Sequence, residues 1–233
     1  MIVLLFNLKL KFVMKYNLKF VLILLLSFTS AHSQQWQGHW SSSFGEIKVM
    51  EKVISSQNAG LVFGNYAKLG TLIGVSFGGK LHGYFYDQKS KKGGEFTFTQ
   101  RQTGHSFTGK WSYKGKVKKL DWNGNKINNT LANDFVNVDR FRSVEGQWDS
   151  NFGPLNFIQD GVFIEASYSD KGRIHAVYNQ ANNMIYGLFT NKEKFGLLYF
   201  NFNAEKNAFK GLWSWETKNW SDQVWSGELK RNK

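Results

Sequence analysis

GHWSSSFG, Gly38 to Gly45, is answered 108 residues later by GQWDSNFG, Gly146 to Gly153. A phrase of the form Gly-x-Trp-x-Ser-x-Phe-Gly written twice marks a chain built from two copies of one unit, and a repeat decides the fold before any single segment does. The likeness continues outward. Tyr66-x-x-x-Gly70-x-Leu72 matches Tyr168-x-x-x-Gly172-x-Ile174, and Leu81-x-Gly83-x-Phe85 matches Ile185-x-Gly187-x-Phe189. Gly94 and Phe98 pair with Gly196 and Phe200, Phe107-x-Gly109-x-Trp111 with Phe209-x-Gly211-x-Trp213, and Trp122-x-Gly124 with Trp225-x-Gly227. The offset stays between 102 and 108, so the copies run roughly from 37 to 127 and from 145 to 230.

Within a copy, apolar residues sit two apart in short runs punctuated by Gly, Asn, Lys or Ser, the pattern of strands and turns rather than helix. The pattern predicts strands at 36–42, 46–53, 59–67, 71–77, 80–87, 94–101, 105–113 and 117–123 in the first copy. In the second it predicts 145–149, 154–158, 161–168, 172–178, 183–190, 195–203, 207–215 and 223–230. Eight antiparallel strands in succession leave two raw edges unless the sheet closes, and an eight-stranded barrel is a small closure that side chains can fill. The expected fold is all-β: two tandem up-and-down meanders or barrels of about eight strands each. A single larger barrel made of both copies and two packed meander sheets are the alternatives. A transmembrane barrel is disfavoured by charge on both faces of several strands and by the ELKRNK ending.

Glycine inside a strand asks for a reason, since it weakens the strand unless a bend or a close approach requires it. In Phe-x-Gly-x-Trp and Leu-x-Gly-x-Phe the glycine shares a face with two bulky residues, so a ring from the adjacent strand is expected to lie over the gap.

The first 33 residues differ from the rest. Phe20 to Phe28 is a short apolar run with Lys15 and Lys19 before it and Ala31-His32-Ser33 after it, the form of a cleaved secretory signal peptide; Met14 is an alternative true start. The run is shorter than the roughly 20 residues that span a bilayer, and no later segment is apolar enough to cross. The expected layout is a signal peptide at 1–33, repeat 1 at 34–127, a linker at 128–144 and repeat 2 at 145–233, with the product periplasmic or secreted. The chain has no cysteine, so disulfides, lipid attachment through Cys and thiol catalysis are excluded.

Six of the nine tryptophans fall into equivalent pairs: Trp40 with Trp148, Trp111 with Trp213, and Trp122 with Trp225. A residue that recurs in two diverged copies answers a demand the fold makes twice. Trp215 aligns with Tyr113, which leaves Trp36 and Trp220 unpaired. Trp220, in the polar stretch ETKNWSD, is the surface candidate.

Charge separates the copies. Residues 37–127 hold 14 basic and five acidic residues, whereas 145–233 hold ten of each. In a meander, alternate turns share one end of the barrel. In the first copy the turns after odd-numbered strands gather Lys68, Lys89, Lys91, Lys92, Lys114 and Lys116 at one mouth, while the opposite turns QNA, FGG and QTG are near neutral. The equivalent mouth of the second copy mixes acids with lysines. These six lysines and Trp220 are the candidate ligand-binding residues.

Catalytic patterns are lacking: His39, His82, His105 and His175 are isolated, and no metal-protease, nucleophile-elbow or phosphate-loop motif occurs. No cofactor is expected. Asp87, Glu95, Asp121 and Glu165 leave open a pair of carboxylates for glycoside hydrolysis.

GQWDSNFG, followed by the strand ending in Tyr168 and by VWSGEL near the end of the copy, resembles the opening and a later Trp-x-Gly strand of the avidin and streptavidin barrels; GHWSSSFG, Tyr66 and DWNGN look similar in the first copy. The resemblance implies eight-stranded barrels that bind a small ligand, biotin, without catalysis. That family's contacts, an Asn two residues after the Trp and a Ser just after the Gly, fall here on Ser42 and Ser150 and on Glu46 and Pro154. The leading expectation is an exported, non-enzymatic binding protein whose basic mouth contacts an anionic glycan or envelope polymer. A small-molecule carrier with a pocket inside a barrel, a structural envelope protein and a carbohydrate-active enzyme are the alternatives. Nucleic acid is not expected as a partner of an exported chain.

Overall fold

The computed structural model describes residues 36–54, 58–68, 70–130, 143–169, 172–217 and 219–230. The expected signal peptide and most of the expected linker lie outside the described residues. Among those described there is no helix, and the strands form two closed barrels.

Barrel 1 contains β1 (Gly38–Ser42), β2 (Gly45–Ile54), β3 (Ala59–Tyr66), β4 (Gly70–Phe77), β5 (Lys80–Asp87), β6 (Lys92–Gln100) and β7 (Ser106–Tyr113). Its eighth strand comes in two pieces, β8 (Leu120–Asp121) and β9 (Gly124–Asn128). Each strand pairs antiparallel with the next, and β9 closes the ring by pairing with β1 and with β7. Barrel 2 runs β10 (Gly146–Ser150), β11 (Leu155–Asp160), β12 (Phe163–Tyr168), β13 (Gly172–Asn179), β14 (Met184–Asn191), β15 (Lys194–Phe202), β16 (Ala208–Trp215) and β17 (Trp225–Leu229), again a closed antiparallel ring.

The expected eighth strand at 117–123 is corrected. Leu120 and Asp121 pair with Trp111 and Lys110, the ladder breaks at Trp122 and Asn123, and the main strand resumes at Gly124. Gly124 sets that restart: a Cβ there would lie 2.4 Å from the Phe107 ring, so the chain comes back against β7 where it has no side chain. The same kind of cover lies over Gly109 and Gly83. A Cβ on Gly109 would meet the Phe98 ring at 2.4 Å, and one on Gly83 the Phe96 ring at 2.6 Å. Gly187 differs, because its near neighbours are the His175 carbonyl and Ala176 rather than a ring.

Inward residues fill both barrels with rings. Trp40, Phe96, Phe98, Phe107 and Trp122 pack with Leu72, Leu81 and Val62 in barrel 1. Trp148, Phe157, Phe200, Phe209 and Trp225 do the same in barrel 2. The opening phrase is the scaffold of this packing. The Ser42 hydroxyl donates to the Gly45 carbonyl (2.6 Å) and accepts from the Trp122 indole N–H (3.0 Å) and from the Phe44 amide. Ser150 repeats all three bonds with Gly153, Trp225 and Phe152. Buried indoles need an acceptor, and the serine supplies it while shaping the β1–β2 turn.

The far end is plugged in the same doubled way. Trp40 Nε1–H donates to the Trp36 carbonyl (2.9 Å), and Trp148 Nε1–H donates to the Val144 carbonyl (3.1 Å). Trp36, which has no tryptophan partner in the other copy, therefore has a structural one. Trp36 and Val144 are each 1 % exposed and stop the same end of their barrels.

The barrels pack wall to wall. β3 and β4 present Leu61, Phe63, Ile73 and Val75 to Val177, Met184, Tyr186 and Leu188 of barrel 2. Thr71, at the lysine-mouth end of β4, accepts a bond from Asn179 Nδ2 at the opposite end of β13 (2.8 Å). Phe77, at the far end of β4, meets Phe195 near the start of β15 edge-on. The equivalent strands thus run in opposite senses, so the basic mouth of barrel 1 lies beside the plugged end of barrel 2.

Candidate functional site

The turns after β1, β3, β5 and β7 lie at one end of barrel 1, and backbone bonds tie the rim together: Ala67 N–H to the Glu46 carbonyl, Lys114 N–H to the Gly93 carbonyl and Ser43 N–H to the Asn123 carbonyl. This end carries Lys68, Lys89, Lys91, Lys92, Lys114 and Lys116, all exposed. None of the six forms an ion pair among the described residues. Lys118 and Lys119 extend the set. The turns hold their lysines by backbone shape: Lys91 adopts φ 54°, and the Ser90 amide donates to the Asp87 carboxylate (2.8 Å).

Exposed apolar residues rise inside this lysine rim. Phe44 is 40 % exposed and lies edge-on to Trp111 and Trp122 at ring separations of 5.3 and 5.2 Å. Tyr113 stands against Trp111 at 5.0 Å, and Val117, at the tip of KGKVKK, is 97 % exposed. In the sequence Phe44 is one letter of the repeated opening phrase, and a bulky residue beside a turn glycine at a barrel mouth is the signal for a partly exposed ring.

Trp220 sits elsewhere. The β16–β17 connection folds back along the outer wall of barrel 2, where the Ser221 amide donates to the Trp213 carbonyl. Trp220 is half-buried, packs edge-on to Tyr199 (5.0 Å) and Tyr186 (6.2 Å), and donates its indole N–H to Glu95 of β6 (2.8 Å). It bridges the barrels and does not join the lysines. Burial first, and then the Glu95 charge, push the nearby Tyr84 phenol up to about 12.

Open grooves lie on the outer wall of barrel 1 on either side of β7. One, of about 400 Å³, is lined by Glu95, Thr97, Thr99, Thr108, Lys110, Ser112, Lys119, Asp121 and Asn123. A second, of about 330 Å³, adds Ser41, Ser43, Arg101, Ser106 and Asn125 and shares Thr108 and Asn123 with the first. Of the carboxylates weighed for catalysis, Glu95 and Asp121 both line the first groove. Glu95 accepts from Trp220, and Asp121 is paired with Lys110. Asp87 caps the β5–β6 turn, and Glu165 is bridged to Lys52 across the barrel interface (3.4 Å).

The plugged end of barrel 1 contains a second polar cluster. Glu51 accepts from the Trp36 amide (2.7 Å) and the Ser76 hydroxyl, with Lys126 near enough to attract it. Burial nonetheless raises the Glu51 pKa, and burial lowers that of Lys126, whose ammonium lies over the Trp40 ring. In barrel 2 the equivalent positions are Gln159, which accepts from the Val144 amide (2.9 Å), and Leu229, which packs on the core. A charged pair and a neutral pair thus close the two barrels. Among the described residues no group of three or more His, Asp or Glu is placed to hold a metal ion.

Fold and surface together define a tandem pair of ring-filled, eight-stranded antiparallel β-barrels with a basic end on the first. No protein-family model, curated protein or solved structure matches the chain.

Proposed function

We propose that the protein is an exported, non-enzymatic binding module whose basic end on barrel 1 engages an anionic glycan or envelope polymer. The observation that carries this reading is the gathering of unpaired lysines from three turns at one mouth, around exposed Phe44 and Tyr113. Lysine ammonium groups attract carboxylate, sulfate or phosphate along a polymer without demanding one geometry, and exposed rings supply a surface on which sugar faces stack. Export rests on the N-terminal signal pattern.

The avidin-like reading is retained for architecture: two eight-stranded barrels, each opened by Gly-x-Trp-x-Ser. The position that would contact biotin is a serine, and that serine's hydroxyl is spent on the Trp122 or Trp225 indole. Ring-filled interiors also favour a partner bound on the outside over a carried small molecule.

Retention on immobilised polygalacturonate tests the proposal. The chain is expected to bind at about 20 mM salt and to elute as ionic strength passes about 0.3 M, where screening shortens the reach of exposed charges. Absent or salt-insensitive retention would sink the electrostatic reading.

A further inference from the structure

We propose that the two open grooves on the outer wall of barrel 1 form one continuous track for an extended acidic polysaccharide, which the lysine end then holds by charge. This rests on the anionic-glycan reading above and assigns the glycan its path.

The track exists because the eighth strand is split. Where β8 ends and β9 has not begun, Trp122 turns inward and Asn123 is exposed, so the wall beside Thr108 is left without a regular neighbour. The grooves on either side share Thr108 and Asn123. They therefore run together, from Lys119 near the mouth to Arg101 at the other end of the wall.

The lining suits a sugar chain. Cross-strand pairs Thr97 with Lys110 and Thr99 with Thr108 give β6 and β7 a face of hydroxyls, with the Lys110 ammonium paired to Asp121 and Glu95 held by the Trp220 indole. Hydroxyls both donate and accept, as sugar hydroxyls require, and Lys119 and Arg101 can make charge-assisted bonds to carboxylates along the chain. An open groove suits an internal stretch of polymer better than a compact ligand, which needs concave enclosure.

Barrel 2 supplies the contrast. The residues equivalent to Glu95, Thr97 and Lys110 are Leu197, Tyr199 and Leu212. Those positions are apolar and covered, with Leu197 buried and Trp220 lying on Tyr199, whereas the equivalents of Thr99 and Thr108, Asn201 and Lys210, are exposed. Part of one face of the same repeat is therefore used for packing in one copy and left polar and open in the other.

The test titrates oligogalacturonides of about six sugars into isotopically labelled full chain, following backbone amide shifts, with groove-filling Thr99→Trp and Thr108→Trp variants beside an Asn201→Trp control at the equivalent barrel 2 position. Shifts are expected along 97–112, with about tenfold weaker binding for the groove variants and none lost in the control. Thr108→Val, which keeps the shape and removes the hydroxyl, is expected to weaken binding about threefold and guards against misfolding of the larger substitutions. Unchanged binding in the groove variants, with loss on Lys89, Lys91 and Lys92→Gln, would overturn the track and leave the lysine-end reading standing. No oligosaccharide binding by the wild type, whether or not it binds phosphatidylglycerol vesicles, would overturn both.

Discussion

The outer wall of β6 and β7 and the outer wall of β15 and β16 are the same stretch of the repeat put to opposite uses. Both keep the inward letters: Phe98 and Phe200 lie over Gly109 and Gly211, and Trp111 and Trp213 stand two residues on. Outward, Glu95, Thr97 and Lys110 in barrel 1 answer to Leu197, Tyr199 and Leu212 in barrel 2. The connections that follow differ with them. KGKVKK projects from barrel 1 with Val117 almost fully exposed, while the Trp220 connection is fastened down along barrel 2 and reaches across to Glu95. Packing explains why the inward positions are alike in both copies, and the outward positions are where the copies differ.

If the inward letters are scaffold, breaking them should hurt both barrels equally. Trp40→Ala and Trp148→Ala each remove a fully buried ring and its indole bond, and each is expected to cost about 3–5 kcal/mol in urea unfolding. A loss confined to one copy would contradict the equivalence.

The plugged ends sharpen the contrast. Lys126→Leu alone leaves Glu51 buried without its attracting charge and should cost about 2 kcal/mol; adding Glu51→Gln, which copies barrel 2, should recover most of it. The sign with pH follows from the shift. A carboxyl raised in the folded state favours its protonated form, so its contribution weakens as pH rises from about 4.5. His82, held down to about 4 by burial and then by Lys80, works the other way: its contribution is full above 6.5 and is lost as pH falls toward 4. Glu51→Gln should therefore lose more stability than the wild type between pH 7 and pH 4.5, and His82→Gln less, as unfolding at three pH values would read.

A smaller effect is expected at the barrel interface. Trp220→Ala removes one bond and one ring from a half-buried position and should cost about 1–2 kcal/mol. It should shift polygalacturonate retention far less than the lysine substitutions, since Trp220 lies apart from the lysines and touches the groove only through Glu95.

The fold was legible because period-two alternation and glycine spacing are local and written twice. Fifteen of the expected strands fall close to those formed, and the miss at 117–123 lies where lysines and a split ladder erase the alternation. The interface was harder to see. β3, β4 and β14 are buried on both faces, and LVF, TLIGV and MIYGLF break alternation for that reason. Trp220 was picked out as unpaired, yet its partner Glu95 lies 125 residues away, which no local pattern encodes. The lysine end was readable from turn order, and the groove beside it was not, since it depends on where the eighth strand breaks.

The central claim is that barrel 1 binds and barrel 2 supports. Matched charge removals test it most directly: Lys89, Lys91 and Lys92→Gln in barrel 1 against Lys192 and Lys194→Gln at the equivalent turn of barrel 2, both read by salt elution from polygalacturonate. The account predicts that the first variant elutes at markedly lower salt while the second elutes with the wild type. Equal shifts, or a shift in the second alone, would contradict it.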